Sequence, residues 1–231
     1  MTITLYDYEL SGNCYKLRLL MSILHVRYDI IPVDFFPGRQ HKSDWFLKLN
    51  SFGQLPVLKD GDLVLSDSGA ILAYLAKKYD ETGRWFPDDP ATTAEILRWH
   101  AIADDITSTA SAARLALGFD YPFDIPKAQA GAHRLFRLID EHLWFGEREG
   151  RDWLCTPPHP TTADIACFPY IMLSEEGGIS RQGYPALRRW SDRVRRIPGF
   201  TVMSGIFPAG RALQSASTYP SPSTPPVSSR P

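Results

Sequence analysis

Residues 51–79, SFGQLPVLKDGDLVLSDSGAILAYLAKKY, constrain this chain more than any other stretch. Val57-Leu58-Lys59 and Leu63-Val64-Leu65 are short β-prone runs on either side of Asp60-Gly61. That dipeptide suits a type I′ hairpin turn, in which both central residues take positive φ. Pro56 opens the first run, a position where a strand tolerates a missing amide donor. Asp67-Ser68 then begin an apolar-periodic helix, with Ile71, Leu72, Leu75 and Tyr79 at helical spacing. Read alone, Asp67 and Ser68 are helix caps. A helix N-terminus also carries free N–H groups and partial positive charge, which suits a carboxylate.

Before this unit, Ile3 to Asp7 alternates apolar and polar as a half-buried strand does. Leu10 to Asn13 reads as a turn. Cys14, Leu17, Leu20, Met21 and Leu24 mark one face of a helix that breaks near His25. Tyr28 to Val33 reads as a strand, and Pro32 places it at a sheet edge. A loop with Pro37-Gly38 follows, then a short helix over 43–49 with Trp45 and Phe46 expected inside. The order strand, helix, strand, helix, hairpin, helix is the thioredoxin-like layout, and it ends near residue 80. Residues 81–91, charged and containing Gly83, Pro87 and Pro90, read as a linker.

From residue 92 to 213 the pattern is helical. A long helix is expected over 94–117 with Leu97, Ile102 and Ile106 on its apolar side. A break at 118–126 precedes a second helix over 128–143, with Leu135, Phe136, Leu138, Ile139 and Leu143 apolar. Thr161-x-x-Asp164 is a capping-box variant ahead of a buried run through Ile171. Leu187, Trp190, Val194 and Ile197 mark a last helix, stopped by Pro198-Gly199. Residues 214–231, rich in Ser and Pro, lack the apolar content to pack and are expected to be mobile.

The net charge of −1 gives no reason to expect nucleic acid or an anionic membrane as partner. The Arg-rich run over 188–196 reads as a solvated helix face. No signal peptide or membrane-spanning run is evident. Three cysteines without a Cys-x-x-Cys pair argue against a disulfide framework and against zinc. The histidines lack metal-ligand spacing, so no metal is expected. The expectation is a cytoplasmic protein.

The order Gln54-Leu55-Pro56, then Asp-Gly, then Ser66-Asp67-Ser68-Gly69-Ala70-Ile71 resembles the glutathione-binding half of the cytosolic glutathione transferases. The resemblance runs over about residues 1–205, more specific in the first half than in the second. It implies a thioredoxin-like α/β N-terminal domain (1–80), an all-α C-terminal domain (92–213), and a homodimer that uses glutathione as co-substrate against an apolar electrophile. It further implies a cis peptide before Pro56. The Leu55 backbone would then clamp the cysteinyl unit, Gln54 bind peptide atoms, and Asp67 with Ser68 hold the γ-glutamyl end. His41, with Arg39 or Lys42 sharing, would meet the glycine carboxylate. Asp104 or Asp105 would reach the γ-glutamyl ammonium of the neighbouring subunit. Leu10 and the helix from Arg98 to Arg114 would line the electrophile pocket, with Phe119, Tyr121 and Phe123 closing over it.

The chemistry such a protein needs is glutathione presented as thiolate. A free thiol titrates near 8.5, so only a few per cent is ionised at neutrality. A helix N-terminus and a hydroxyl donor both favour the charged form. Ser11 stands where thioredoxins carry their first, exposed cysteine, and theta- and zeta-type transferases use a serine there. Asn13 adds a possible second donor. Cys14, among apolar neighbours, is the competing nucleophile. Were it the reactive group, the protein would be a cysteine-type redox enzyme. The nearest rival keeps the glutathione site and changes the reaction to glutathione-dependent peroxide or disulfide reduction. A glutathione-binding stress protein without turnover is the reading from another class.

Overall fold

The computed structural model describes residues 3–203. Four strands, β1 (Ile3–Asp7), β2 (Tyr28–Pro32), β3 (Val57–Asp60) and β4 (Leu63–Ser66), form one sheet in the order β2-β1-β3-β4. β1 pairs parallel with β2 and antiparallel with β3, and β3 pairs antiparallel with β4. Pro32 therefore sits on an edge strand, where its missing amide disrupts no ladder. β1 buries Ile3, Leu5 and Asp7 on one side, and the buried Asp7 carboxylate is paired with Arg18 of α1. α1 (Gly12–Ile23) and α3 (Ser68–Tyr79) pack together, and α2 (Asp44–Leu49) sets Phe46 against Val57 of β3.

The remaining described elements are all helical: α4 (Pro90–Ile106), α5 (Ala112–Phe119), α6 (Ile125–Arg148), α7 (Thr162–Met172) and α8 (Pro185–Val194). Every residue of α7 is buried, and α7 touches α1, α3, α4 and α8. It enters through the expected capping box at Thr161 and Asp164. The fully buried Asp164 carboxylate accepts from the Thr161 and Leu154 amides at 2.9 and 3.1 Å and from Trp190 Nε1 at 2.8 Å. One polar group thus ties the start of α7 to α8 and to the preceding loop. Desolvation still raises its pKa above the ordinary carboxylate value.

Between α4 and α5 the helix widens into a π-helical turn over Thr107–Ser111. Its hydroxyls bond back to the helix: Thr107 Oγ1 to Ala103 O at 2.8 Å, Thr109 Oγ1 to Asp105 O at 2.7 Å. Such back-bonding is how Ser and Thr loosen a helical ladder, and a one-residue excess is accommodated as a π turn. Gly131 of α6 gives it room, since a Cβ there would stand 2.8 Å from Thr109 Cγ2.

Several local expectations need correction. The hairpin turns at Gly61-Asp62, one residue later than expected. Asp60 stays in the ladder opposite Leu63, and only Gly61 of that turn takes positive φ (62°). Helix α1 begins at Gly12, so Gly12 and Asn13 are helical rather than part of the turn. Trp45 is 46% exposed. Phe46 takes the buried position against Val33 and Val57, leaving Trp45 at the surface, edge-on to it. On α4 the buried row is Ile96, Trp99, Ala103 and Ile106, so Leu97, one step round the helix, faces outward. Leu138, next to the buried Ile139, does the same on α6. α4 starts at Pro90, inside the stretch read as linker, with Asp89 accepting from the Thr92 amide as its cap. The Ser- and Pro-rich stretch 214–231, and 204–213 before it, lie outside the described residues.

Candidate active site

A cleft of about 690 Å³ opens where the sheet domain meets α4 and α5. Six separate pieces of chain reach it, Tyr170 of α7 being the last. The β1–α1 connection brings Tyr8, Leu10, Ser11 and Asn13; the loop ahead of α2 brings Phe35, His41 and Lys42. Residues 53–56 enter from the segment before β3, Asp67 and Ser68 from the start of α3, and Asp104 to Phe123 from the helical side.

Ser11 is the N-cap of α1. Its Oγ accepts the Cys14 amide at 3.2 Å, and its own amide donates to Tyr8 O. The cap thereby holds the hydroxyl at the positive end of a helix, beside the cleft. Asn13, half-buried in the first turn, keeps Oδ1 out of contact with water and without a partner. Gly12 between them passes under the Tyr170 ring, where a Cβ would stand 2.7 Å from ring carbons. Cys14 points the other way: it is fully buried, and desolvation with the Asp7 charge pushes its thiol up to about 12. It does not line the cleft.

The Leu55–Pro56 peptide is cis, as the resemblance implies, and so is Phe36–Pro37. Asn50, which sequence reasoning passed over, donates from Nδ2 to Gln54 O at 2.8 Å and accepts the Phe52 amide on Oδ1. It therefore fixes the loop that carries Gln54 and Leu55 to the cleft wall. At the next strand-to-helix junction, Asp67 caps α3 by accepting the Ala70 amide at 2.9 Å and takes a positive φ of 75°. Ser68 is buried at the first turn of that helix.

His41 is buried, lies 4.2 Å from Phe35 in a stacked pair, and has an unpartnered Nδ1. Desolvation and the nearby Lys42 and Arg39 charges lower its pKa, which favours the neutral ring. Lys42 Nζ donates to Gly53 O at 2.9 Å and to Phe52 O at 3.3 Å. It braces the proline loop from the rim. Arg39 is exposed, in the left-handed conformation, and not among the residues lining the cleft. Asp104 lines the cleft, and burial raises its pKa; Asp105 does not line it.

The opposite wall is aromatic. Phe35 stacks on Tyr121 at 6.0 Å, Tyr121 on Phe123 at 6.2 Å, and Tyr8 leans on Phe35 at 5.5 Å. Phe119 meets Phe36 edge-on at 5.1 Å. Arg114, nearly buried, pairs with Glu176, donates to Leu10 O at 2.9 Å, and lies 5.8 Å over Phe119. The wall begins at Asp104, not at Arg98, which is turned away onto the face of Trp99. The π-helical turn contributes Thr107, Ser108 and Ser111 to the lining.

Residues near the cleft that sequence reasoning did not single out are Tyr8, Phe35, Asn50, Tyr170 and Lys16. Lys16 carried the clearest signal: it occupies the row of Leu19 and Leu20 on a helix that is otherwise apolar along that row. Among the described residues no group of acidic, histidine or cysteine side chains could hold a metal ion, and no helix is long and apolar enough to cross a membrane.

A sheet ordered β2-β1-β3-β4 with an antiparallel β3–β4 pair, a helical half behind it, and a cleft at the α1 and α3 N-termini together define the thioredoxin-like, two-part architecture of glutathione-using proteins. Residues 1–77 match the glutathione S-transferase N-terminal domain. Human glutathione S-transferase theta-2B is 51% identical over 173 residues, 72% of this chain and 70% of that protein. GstB of Escherichia coli is 31% identical over 209 residues, 85% of this chain and 94% of its own length. The disulfide-bond oxidoreductase YfcG of the same bacterium is 27% identical over 201 residues, 81% and 88% of the two chains. Among solved structures, a possible glutathione S-transferase from Rhodopseudomonas palustris aligns with a TM-score of 0.77 at 26% identity, covering 88% of this chain and 98% of that one. Ure2p in complex with glutathione aligns at 0.73 and 26%, covering 86% and 91%. The chain belongs to the glutathione transferase family.

Proposed function

We propose that the protein joins the thiolate of bound glutathione to an electrophilic carbon of a small apolar molecule seated against the aromatic wall. The observation that carries this reading is convergence. Ser11, Asn13, His41, Gln54, Leu55, Pro56, Asp67 and Ser68 come from four parts of the chain and meet on one wall of one cleft. On this reading Ser11 donates to the thiolate, aided by the α1 N-terminus and Asn13. The Leu55 backbone pairs with the cysteinyl unit, Asp67 and Ser68 hold the γ-glutamyl end, and His41 meets the glycine end. Lys42 acts by holding the proline loop. Complexes of Ure2p with glutathione support glutathione as the ligand. Catalysis consists of stabilising the thiolate and positioning the two reactants.

The protein works as a two-fold homodimer in the cytoplasm, in the manner of its family, and detoxification is its setting. The first domain spans 1–80 and the helical domain begins at the α4 cap. Asp104, facing the cleft, is the better placed of the two acidic residues to meet a γ-glutamyl ammonium.

A second reading, glutathione-dependent reduction of disulfides or peroxides, is favoured by the relation to YfcG. It would run on the glutathione thiolate itself, since Cys14 is buried and hard to ionise. Steady-state rates with a chloro-nitroaromatic, a hydroperoxide and a mixed glutathione disulfide decide between them. Conjugation of the aromatic substrate is expected to dominate. Turnover confined to peroxide or disulfide would overturn the transferase reading, and saturable glutathione binding without turnover on any of the three would leave a binding protein.

A further inference from the structure

Lys16 is a cation buried behind the cleft. It lies in the first half of α1, is 1% exposed, and its Nζ is 3.4 Å from Ser68 Oγ, across the α1–α3 contact. Its surroundings are mostly closed to it. From α3 it faces Asp67 and Ser68, from α4 His100 and Asp104, and from α7 Cys167 and the Tyr170 ring, whose centroid is 6.0 Å away. His100 offers no charge, because burial and Lys16 itself push its pKa down to about 4. Cys167 is fully buried, and its thiol is pushed well above the ordinary value. Asp67 spends one oxygen on the Ala70 amide, and Asp104 stands on the far wall of the cleft. Among the described residues no carboxylate lies within 4 Å of its ammonium, and a buried ammonium without a close anion is costly.

Resting on the reading of the site given above, we propose that Lys16 is a positioning residue for the γ-glutamyl carboxylate of glutathione. Its ammonium holds the Ser68 oxygen from behind, so that the Ser68 proton points into the cleft, and its charge is neutralised when the carboxylate arrives. Lys16 does not line the cleft and touches no reacting atom; it acts through Ser68 and through its field. The arrangement resembles a counter-ion left waiting. The desolvation that brings Lys16 down to about 8 in the free protein is relieved by an anion one side chain away, so binding raises its pKa. Affinity and the charge of Lys16 are then linked.

The test uses S-methylglutathione, which has no thiol to titrate, and isothermal calorimetry on the full chain. Lys16→Met is expected to bind at least about tenfold more weakly at pH 7, the loss for a charge-assisted contact. kcat at saturating glutathione should change less than about twofold, because the residue acts on binding. A tenfold preference for the charged form corresponds to about one pH unit between free and bound protein. The wild-type advantage should therefore fade between about pH 8 and 9 and be gone by pH 10. Titration of the ligand amine cancels in the ratio of wild type to variant. Lys16→Arg, which keeps its charge throughout this range, should restore affinity at pH 7 and show no such fade. In a Ser68→Ala background Lys16→Met should cost less than it does alone, since the two act through one contact.

Wild-type affinity in Lys16→Met at pH 7, alongside weakened binding in Ser68→Ala, would overturn the role of Lys16 and leave the site assignment standing. A defect of the same size at pH 7 and pH 10 would reduce Lys16 to a structural part and overturn it too. If Ser68→Ala and Lys16→Met both bind as wild type, the γ-glutamyl end lies elsewhere, and the site assignment fails together with the inference.

Discussion

Replacing Ser11 by alanine separates the two jobs that its hydroxyl performs. The oxygen accepts the Cys14 amide at 3.2 Å, which caps α1. On the proposed reading the proton goes to the thiolate of glutathione. Losing a cap costs about 1 kcal/mol of stability, which lowers the melting temperature by about 2–4 °C in a chain of this size. Losing one charge-assisted donor costs on the order of 2 kcal/mol. That raises the pKa of bound glutathione by about 1.5 and slows conjugation about thirtyfold at neutral pH. The assay is the thiolate absorbance of bound glutathione followed against pH, with conjugation rates measured on the same samples. Cys14→Ala is the control. It removes a side chain that is wholly buried and hard to ionise, so it should lower the melting temperature and leave the thiolate pKa and the rate unchanged. Asn13 sits in the same turn and can mask part of the loss, so Ser11→Ala/Asn13→Ala should shift the pKa further than either alone. If Cys14→Ala abolishes turnover while Ser11→Ala behaves as wild type, the thiolate is not held by the serine, and the reasoning is refuted.

Lys16 also makes a prediction about stability. Its folded pKa, about 8, lies below the ordinary 10.5, so between those values the unfolded chain binds the extra proton. Stability should therefore rise with pH across that window. Lys16→Met should be more stable than wild type at pH 7, by about 3 kcal/mol, with the gap closing toward pH 10.5; a constant gap in denaturant melts would contradict this. Asp164→Ala should destabilise by more than about 3 kcal/mol, because it leaves three buried N–H donors without an acceptor. Thermal melts check it, and a loss under about 1 kcal/mol would contradict the account of α7. His41→Ala should weaken glutathione about tenfold while sparing γ-glutamylcysteine, which lacks the glycine end. Equal losses for both ligands by calorimetry would move His41 away from that end.

What the sequence disclosed follows from range. The hairpin, the α3 cap and the Thr161–Asp164 box are local patterns, legible because the residues that satisfy each other lie within a few positions. The convergence of the site was legible only through resemblance, since nothing local says that Ser11 and Ser68 face one cleft. The turn at Gly61-Asp62 was misplaced by one residue because Asp60 has a use the turn pattern cannot show: its carboxylate accepts from Tyr74, Lys78 and Tyr79 of α3, which keeps it in the ladder. Leu97 and Leu138 were misassigned for a related reason. Where a helix is covered on one side only, as α4 and α6 are at these points, one of two adjacent apolar residues is left outside, and which one is decided by the neighbouring helices. Lys16 was passed over because its role depends on α3 and α7, elements far away in sequence.

The π-helical turn over Thr107–Ser111 gives the cleft a property that neither wall has alone. It sits upstream of Arg114, Leu115 and Phe119, on the wall opposite Ser11 and Ser68. A π turn is a helix carrying one residue too many. Deleting one residue there would restore an unbroken ladder and leave α5 in phase with α4, whereas a deletion elsewhere in the helix would rotate everything after it by about 100°. The turn can therefore gain or lose its extra residue while Arg114, Leu115 and Phe119 keep their places on the cleft wall. The wall facing the second reactant is thus buffered against a change of length in this helix, and Gly131 keeps the space that the wider turn occupies.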